Sequence, residues 1–223
     1  MAKKVNHPNP PVVSIPQIIA AYNQHEYHSL RLQLQMYSLA DPQGLLTGYT
    51  PYIMHNGQVI KLWCCGVFPI GITINNLIRP FTGPHSHQWW MTGRTGYINS
   101  KTALLRQVNF TGQTFTDFEA LYQYISGLGV AKGKLHLYDL ALRVGHCLGI
   151  YPQKYVYLHC GSLAGATILR DKGYITLTSN WSVKVPISVF ASVFPSIEAM
   201  DIENLLCICK KQLAGLPKSS KTP

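Results

Sequence analysis

The chain has 223 residues, 47% hydrophobic and 11% aromatic, which is enough apolar surface to close a sizeable core and too much for a disordered chain. Nineteen Lys and Arg face nine Asp and Glu, a formal charge of +10, yet charged residues make up only 13% of the sequence, about half the roughly 25% of an ordinary soluble domain. The excess therefore comes from scarce acids, and it calls for an anionic partner.

Met1-Ala2-Lys3-Lys4 leads into a Pro-rich stretch, Pro8 to Pro16, with no apolar segment of the signal-peptide kind. The longest apolar run, Trp63 to Ile74, is interrupted by Gly66, Pro69 and Gly71 and falls well short of the ~20 residues of a spanning helix. The expectation is a cytoplasmic protein with no membrane partner. The six cysteines, Cys64, Cys65, Cys147, Cys160, Cys207 and Cys209, include an adjacent pair and a Cys-x-Cys, which is not a secreted disulfide framework. Free thiols in a reducing compartment are expected. Residues 1–14 and 216–223 read as flexible tails flanking one globular domain, 15–215.

Ile15 begins a helical pattern through Ile18, Ile19 and Tyr22, and from Leu30 to Met36 helix and strand periodicities compete. Asp41-Pro42-Gln43-Gly44 marks a turn, and Val59 to Ile74 reads as short strands or a buried irregular segment. Arg79 to Trp90, with Pro80, Gly83 and Pro84 close together, begins as a loop. Thr116 and Glu119 stand at capping-box spacing, and Phe118, Leu121, Tyr122 and Ile125 follow at i, i+3, i+4, i+7. A second helix is predicted from about Lys134 to Leu148, with Leu137, Ala141, Val144 and Leu148 on one stripe and Gly149 as its stop. Strands are expected at Tyr155–Cys160 and Tyr174–Leu177, with a helix over Ala164–Leu169 between them. Ser196 is expected to cap a terminal helix with core face Ile202, Leu205, Leu206, Cys209 and Leu213. The fold class is α+β, mostly helical, with a few short strands.

Two short helices joined by Gly127-Leu128-Gly129 resemble a helix-hairpin-helix, here over about residues 116–149. In that motif glycines let the backbone approach a phosphate, and N–H groups at the second helix's start point at it with the helix dipole behind them. Gly127 and Gly129 would make the approach, and Lys132, Lys134 and Arg143 would add positive charge. Such contacts grip the backbone without reading sequence. Helix-hairpin-helix DNA glycosylases add a catalytic Asp after the hairpin and, in bifunctional members, a lysine nucleophile. Tyr138 to Gly149 is similar to the Asp-bearing segment, so the resemblance implies catalytic roles for Asp139 and, as the amine, Lys132 or else Lys134.

Base excision needs an extruded nucleotide, aromatic groups to hold it and a carboxylate beside the charge that develops on the sugar. With 4 Trp, 13 Tyr and 7 Phe the chain has the aromatics. The loop region Arg79 to Arg94 adds Trp89 and Trp90 for stacking, with Arg79 and Arg94 for phosphates. The expected partner is DNA, in duplex form, and no cofactor is called for. A helix-surface pairing of Asp139 with Arg143 at i+4 is the plainer alternative, as is a non-enzymatic nucleic-acid-binding subunit. His159-Cys160-Gly161-Ser162 is also similar to the His-Gly-Thr strand of ADP-ribosyltransferases, which implies an NAD-using rival. His85-Ser86-His87 lacks a partner pair at zinc spacing, so no metal is expected. No Walker loop, dinucleotide fingerprint, serine elbow or His-Glu-x-x-His occurs.

Overall fold

The computed structural model describes residues 13–24, 113–129, 133–177 and 184–220, together with the three strands β1 (Tyr52–His55), β2 (Gln58–Trp63) and β3 (Gly66–Ile70). These strands form an antiparallel sheet in the order β1-β2-β3, with Ile53 opposite Ile60 and Lys61 opposite Phe68. Pro69 falls on β3, an outer strand of this three-stranded order, the kind of position where proline is tolerated in a sheet. Short strands are thus the correct reading of the segment beginning at Val59.

The remaining elements are α1 (Ile15–Tyr22), α2 (Phe118–Gly127), α3 (Lys134–Leu148), β4 (Tyr155–Tyr157), α4 (Cys160–Asp171), β5 (Lys184–Pro186), a 3-10 turn at Ile187–Phe190, α5 (Ala199–Ile208) and α6 (Lys210–Ala214). The described chain is mostly helical with small antiparallel sheets, in keeping with α+β. No described helix is long and apolar enough to cross a membrane.

Helix boundaries follow local chemistry. Gln17 Oε1 closes the start of α1 by accepting from the Ser14 N–H at 2.9 Å and its hydroxyl at 3.0 Å. α2 is capped by Asp117, whose carboxylate accepts from Ala120 N–H at 3.0 Å, so the cap falls one residue after the Thr116 expected from the capping-box spacing. Asp117 is the better choice because the same carboxylate also takes Lys154 Nζ at 2.9 Å. α3 occupies the predicted span, and Gly149 ends it in the left-handed conformation, φ 70°.

Two expectations are corrected. Tyr174–Leu177 forms no strand; the partner of β4 is β5, paired Val156 to Val185. Tyr174 N–H instead closes the end of α4 by donating to Leu169 O at 2.9 Å. Ser196 does not cap the terminal helix: its φ is 63°, and Glu198 holds the N-cap of α5. The expected core face of that helix, Ile202, Leu205, Leu206, Cys209 and Leu213, is buried throughout, although the helix is split at Cys209 into α5 and α6.

The described residues form two apolar clusters. One is built by α2 and α3 from Phe118, Leu121, Ile125, Ala141 and Val144, and the other by α1, α4, α5 and α6 around Ile18, Leu169, Ile202 and Leu206. β4 belongs to both: Val156 enters the second cluster and Tyr157 the first, because successive strand residues point to opposite faces. α4 and α5 come close through Gly165, where a Cβ would stand 2.2 Å from the Leu206 carbonyl oxygen. The last described residues stay docked: Leu216 is buried, and Ser219 N–H donates to Lys172 O at 2.7 Å.

Candidate functional site

Every residue of α5 from Ala199 to Leu206 is buried, including Asp201, Glu203 and Asn204. Burying a carboxyl is costly unless it is partnered or neutral. The partners come from three other elements. From α1, Tyr22 donates its hydroxyl to Asp201 Oδ1 at 3.2 Å and accepts from Asn204 Nδ2 at 3.1 Å. At the β4–α4 junction, His159 Nδ1 lies 3.5 Å from Glu203 Oε1, within ion-pair reach but outside hydrogen-bond geometry. Ser162, fully buried in the first turn of α4, hydrogen-bonds the Glu203 carboxyl and accepts from His159 N–H at 3.0 Å. From α3, Asp139 stands near enough for its charge to act on Glu203.

Burial first, and the Asp139 charge second, push Glu203 up to about 8, against the pull of the Ser162 hydrogen bond. At neutral pH Glu203 therefore holds its proton beside a second carboxyl. The pair continues into a ladder of rings: Tyr138 tilts against His159 at 4.9 Å between centroids, stacks on Tyr157 at 5.1 Å, and Tyr157 meets Tyr122 at 4.7 Å. The Tyr157 hydroxyl donates to Glu119 Oε1 at 3.4 Å. Burial raises the Tyr138 hydroxyl well above its usual range, so it is a neutral donor.

The sequence-derived candidates fall into three groups. Asp139 lies on α3 and is 2% exposed, so it belongs to the interior and not to the helix surface. Arg143, expected to add charge at a DNA surface, is 6% exposed and also faces inward. Gly127, Gly129 and Lys134 gather at the α2–α3 connection, all exposed; Gly129 has φ 62° and Lys134 is the first residue of α3. Lys132, Arg79, Arg94, Trp89, Trp90, His85 and His87 lie outside the described residues. His159, central to the NAD-using alternative, precedes a helix at once, since α4 begins at Cys160, and it is buried at 4%.

Sequence reasoning missed Glu203, Asp201 and Gly133. The signal for the acids was present: Ala199 to Cys209 is apolar on nearly all sides, and a helix of that kind is buried with whatever acids it carries. Gly133, with φ 98°, is the N-cap of α3 and supplies no side-chain acceptor. No carboxylate occupies the first turn of α3, and a lysine opens it, the reverse of what the helix dipole prefers. Among the described residues no group of three His, Cys, Asp or Glu could hold a metal ion. No protein-family profile matches the chain, and no curated protein or solved structure matches it either.

Proposed function

We propose that the protein binds duplex DNA by its phosphates at the α2–α3 connection, as a helix-hairpin-helix does, and acts as a glycosylase on an extruded base. The observation that carries the binding is the start of α3: a glycine N-cap, no acid in the first turn, and Lys134 at its head. The first N–H groups of a helix have no intrahelical acceptor, and an anion would satisfy both them and the lysine. The +10 charge supplies the long-range attraction.

Asp139 lies five residues into α3 from Lys134, about 7.5 Å along the axis at ~1.5 Å per residue. A phosphate held at the helix start thus anchors the strand one and a half turns from the Asp139–Glu203 pair. In this reading Asp139 stabilises the oxocarbenium-like sugar, and Glu203, neutral below about pH 8, is a proton donor to the departing base. Lys132 remains the candidate amine. The second reading, a non-enzymatic binder, is favoured by the 2% exposure of Asp139, which suits an interior polar cluster as well as a site.

One panel separates them. The protein is incubated with duplex and single-stranded DNAs bearing deaminated, oxidised, alkylated or hypermodified bases, and free base is sought by mass spectrometry. Release that is lost in Asp139→Asn with affinity retained supports the glycosylase. Salt-dependent binding with no release from any DNA leaves the binder, and salt-independent binding or none removes both.

A further inference from the structure

Cys160 stands at the first position of α4 with φ 35°, a conformation that residues with a Cβ rarely adopt, and its side chain is exposed. The next residue is Gly161, and a Cβ placed there would lie 2.4 Å from Cys207 Sγ and 3.4 Å from Lys210 Nζ. The Cys207 sulphur therefore rests against the backbone beside Cys160, in space that only glycine leaves open. The two thiols are close enough that the charge of Cys160 acts on Cys207. Neither is in a disulfide in this structure.

We propose that Cys160 and Cys207 form a reversible disulfide between the start of α4 and the end of α5, made by exchange with small-molecule disulfides. Cys160, the exposed partner, attacks as its thiolate one sulphur of a disulfide such as oxidised glutathione, forming a protein–glutathione bond and releasing one glutathione thiolate. Cys207 then gives up its proton to solvent and attacks the Cys160 sulphur, and the second glutathione leaves. Two protein thiols are oxidised to one disulfide, and one oxidised glutathione is reduced to two glutathiones.

The order is set by the surroundings. Cys207 is half-buried, and its thiol is pushed up to about 11, chiefly by burial and then by Glu203, with Lys210 pulling the other way. It is a poor first attacker and a resolving thiol close at hand. Lys210 lies beside the sulphur to stabilise the thiolate at the second step. The bond would tie together the two elements that carry His159 and Glu203, since Cys160 follows His159 directly and Cys207 lies one helical turn after Glu203.

The test is peptide mapping of the full chain, without reductant, after equilibration in graded ratios of reduced to oxidised glutathione. The expected result is one linked peptide pair, Cys160 to Cys207, lighter by two hydrogens than the two free peptides, and loss of thiol labelling at both positions. Returning the sample to reduced glutathione should restore both labels. Cys207→Ser should instead accumulate Cys160 carrying one glutathione, while Cys160→Ser should leave Cys207 unmodified. A wild-type protein in which Cys160 keeps its glutathione, pairs with another cysteine, or stays unmodified throughout overturns the proposal, and this readout needs no variant to fold.

Discussion

The His159 Nδ1 and Glu203 Oε1 atoms lie 3.5 Å apart with both side chains closed to solvent. That closure fixes the sign of a pH effect. Glu203 binds its proton more tightly in the folded state, to about 8, than in the unfolded chain, where an ordinary glutamate near 4.5 is expected. Folded protein therefore holds more protons than unfolded across this window, and the Glu203 contribution to stability is full below about pH 4.5 and falls as pH rises towards 8. Glu203→Gln keeps the shape without the titration. Thermal unfolding from pH 4.5 to 8.5 should show the wild type losing ground against the variant as pH rises; parallel curves would contradict the buried, protonated state of Glu203.

Tyr22 bridges Asp201 and Asn204 with its one hydroxyl. Tyr22→Phe removes that oxygen and leaves two buried polar groups short of a partner, so stability should fall by ~1–3 kcal/mol. A urea titration should show a lower midpoint at unchanged slope.

Two glycines should behave in opposite ways. Gly165→Ala places a methyl 2.2 Å from the Leu206 carbonyl oxygen, a backbone atom that cannot step aside, and should cost ~2–4 kcal/mol by forcing α4 from α5. Gly127→Ala meets nothing within 4 Å and should fold normally. If the backbone of this turn approaches a phosphate, the added methyl should weaken DNA binding, and equal affinity would exclude Gly127 from the contact.

Replacing Lys132 and Lys134 together with Ala should lower the slope of log affinity against log salt by about 2, one phosphate contact for each lysine. The remaining affinity should fall uniformly across DNA sequences. An unchanged slope would take the α2–α3 connection out of the interface.

Much of the helical framework was legible because its periodicity is strong. Phe118, Leu121 and Ile125 repeat at helical spacing and are buried, and α3 runs from Lys134 to the glycine that ends it. The caps were less so: Asp117 and Glu198 took positions expected of Thr116 and Ser196, since the choice of cap depends on partners distant in sequence, such as Lys154 for Asp117. β5 was missed because three residues carry no period. The Asp139–Glu203 pairing was illegible for a different reason. Each acid is visible alone, but their proximity arises where α3, β4 and α5 meet, and no local pattern encodes it.

The contact between Tyr22 and Asp201 spans 179 residues of chain. A ribosome adding residues in order makes α1 179 residues before Asp201, so α1 must wait, its Ile18 and Tyr22 unshielded, until that partner exists. Closing so long a loop is entropically costly, and chains with such distant pairings fold slowly. The native state should therefore form by late docking of α1 onto a body assembled around α5, and nascent chains should depend most on chaperones during that interval.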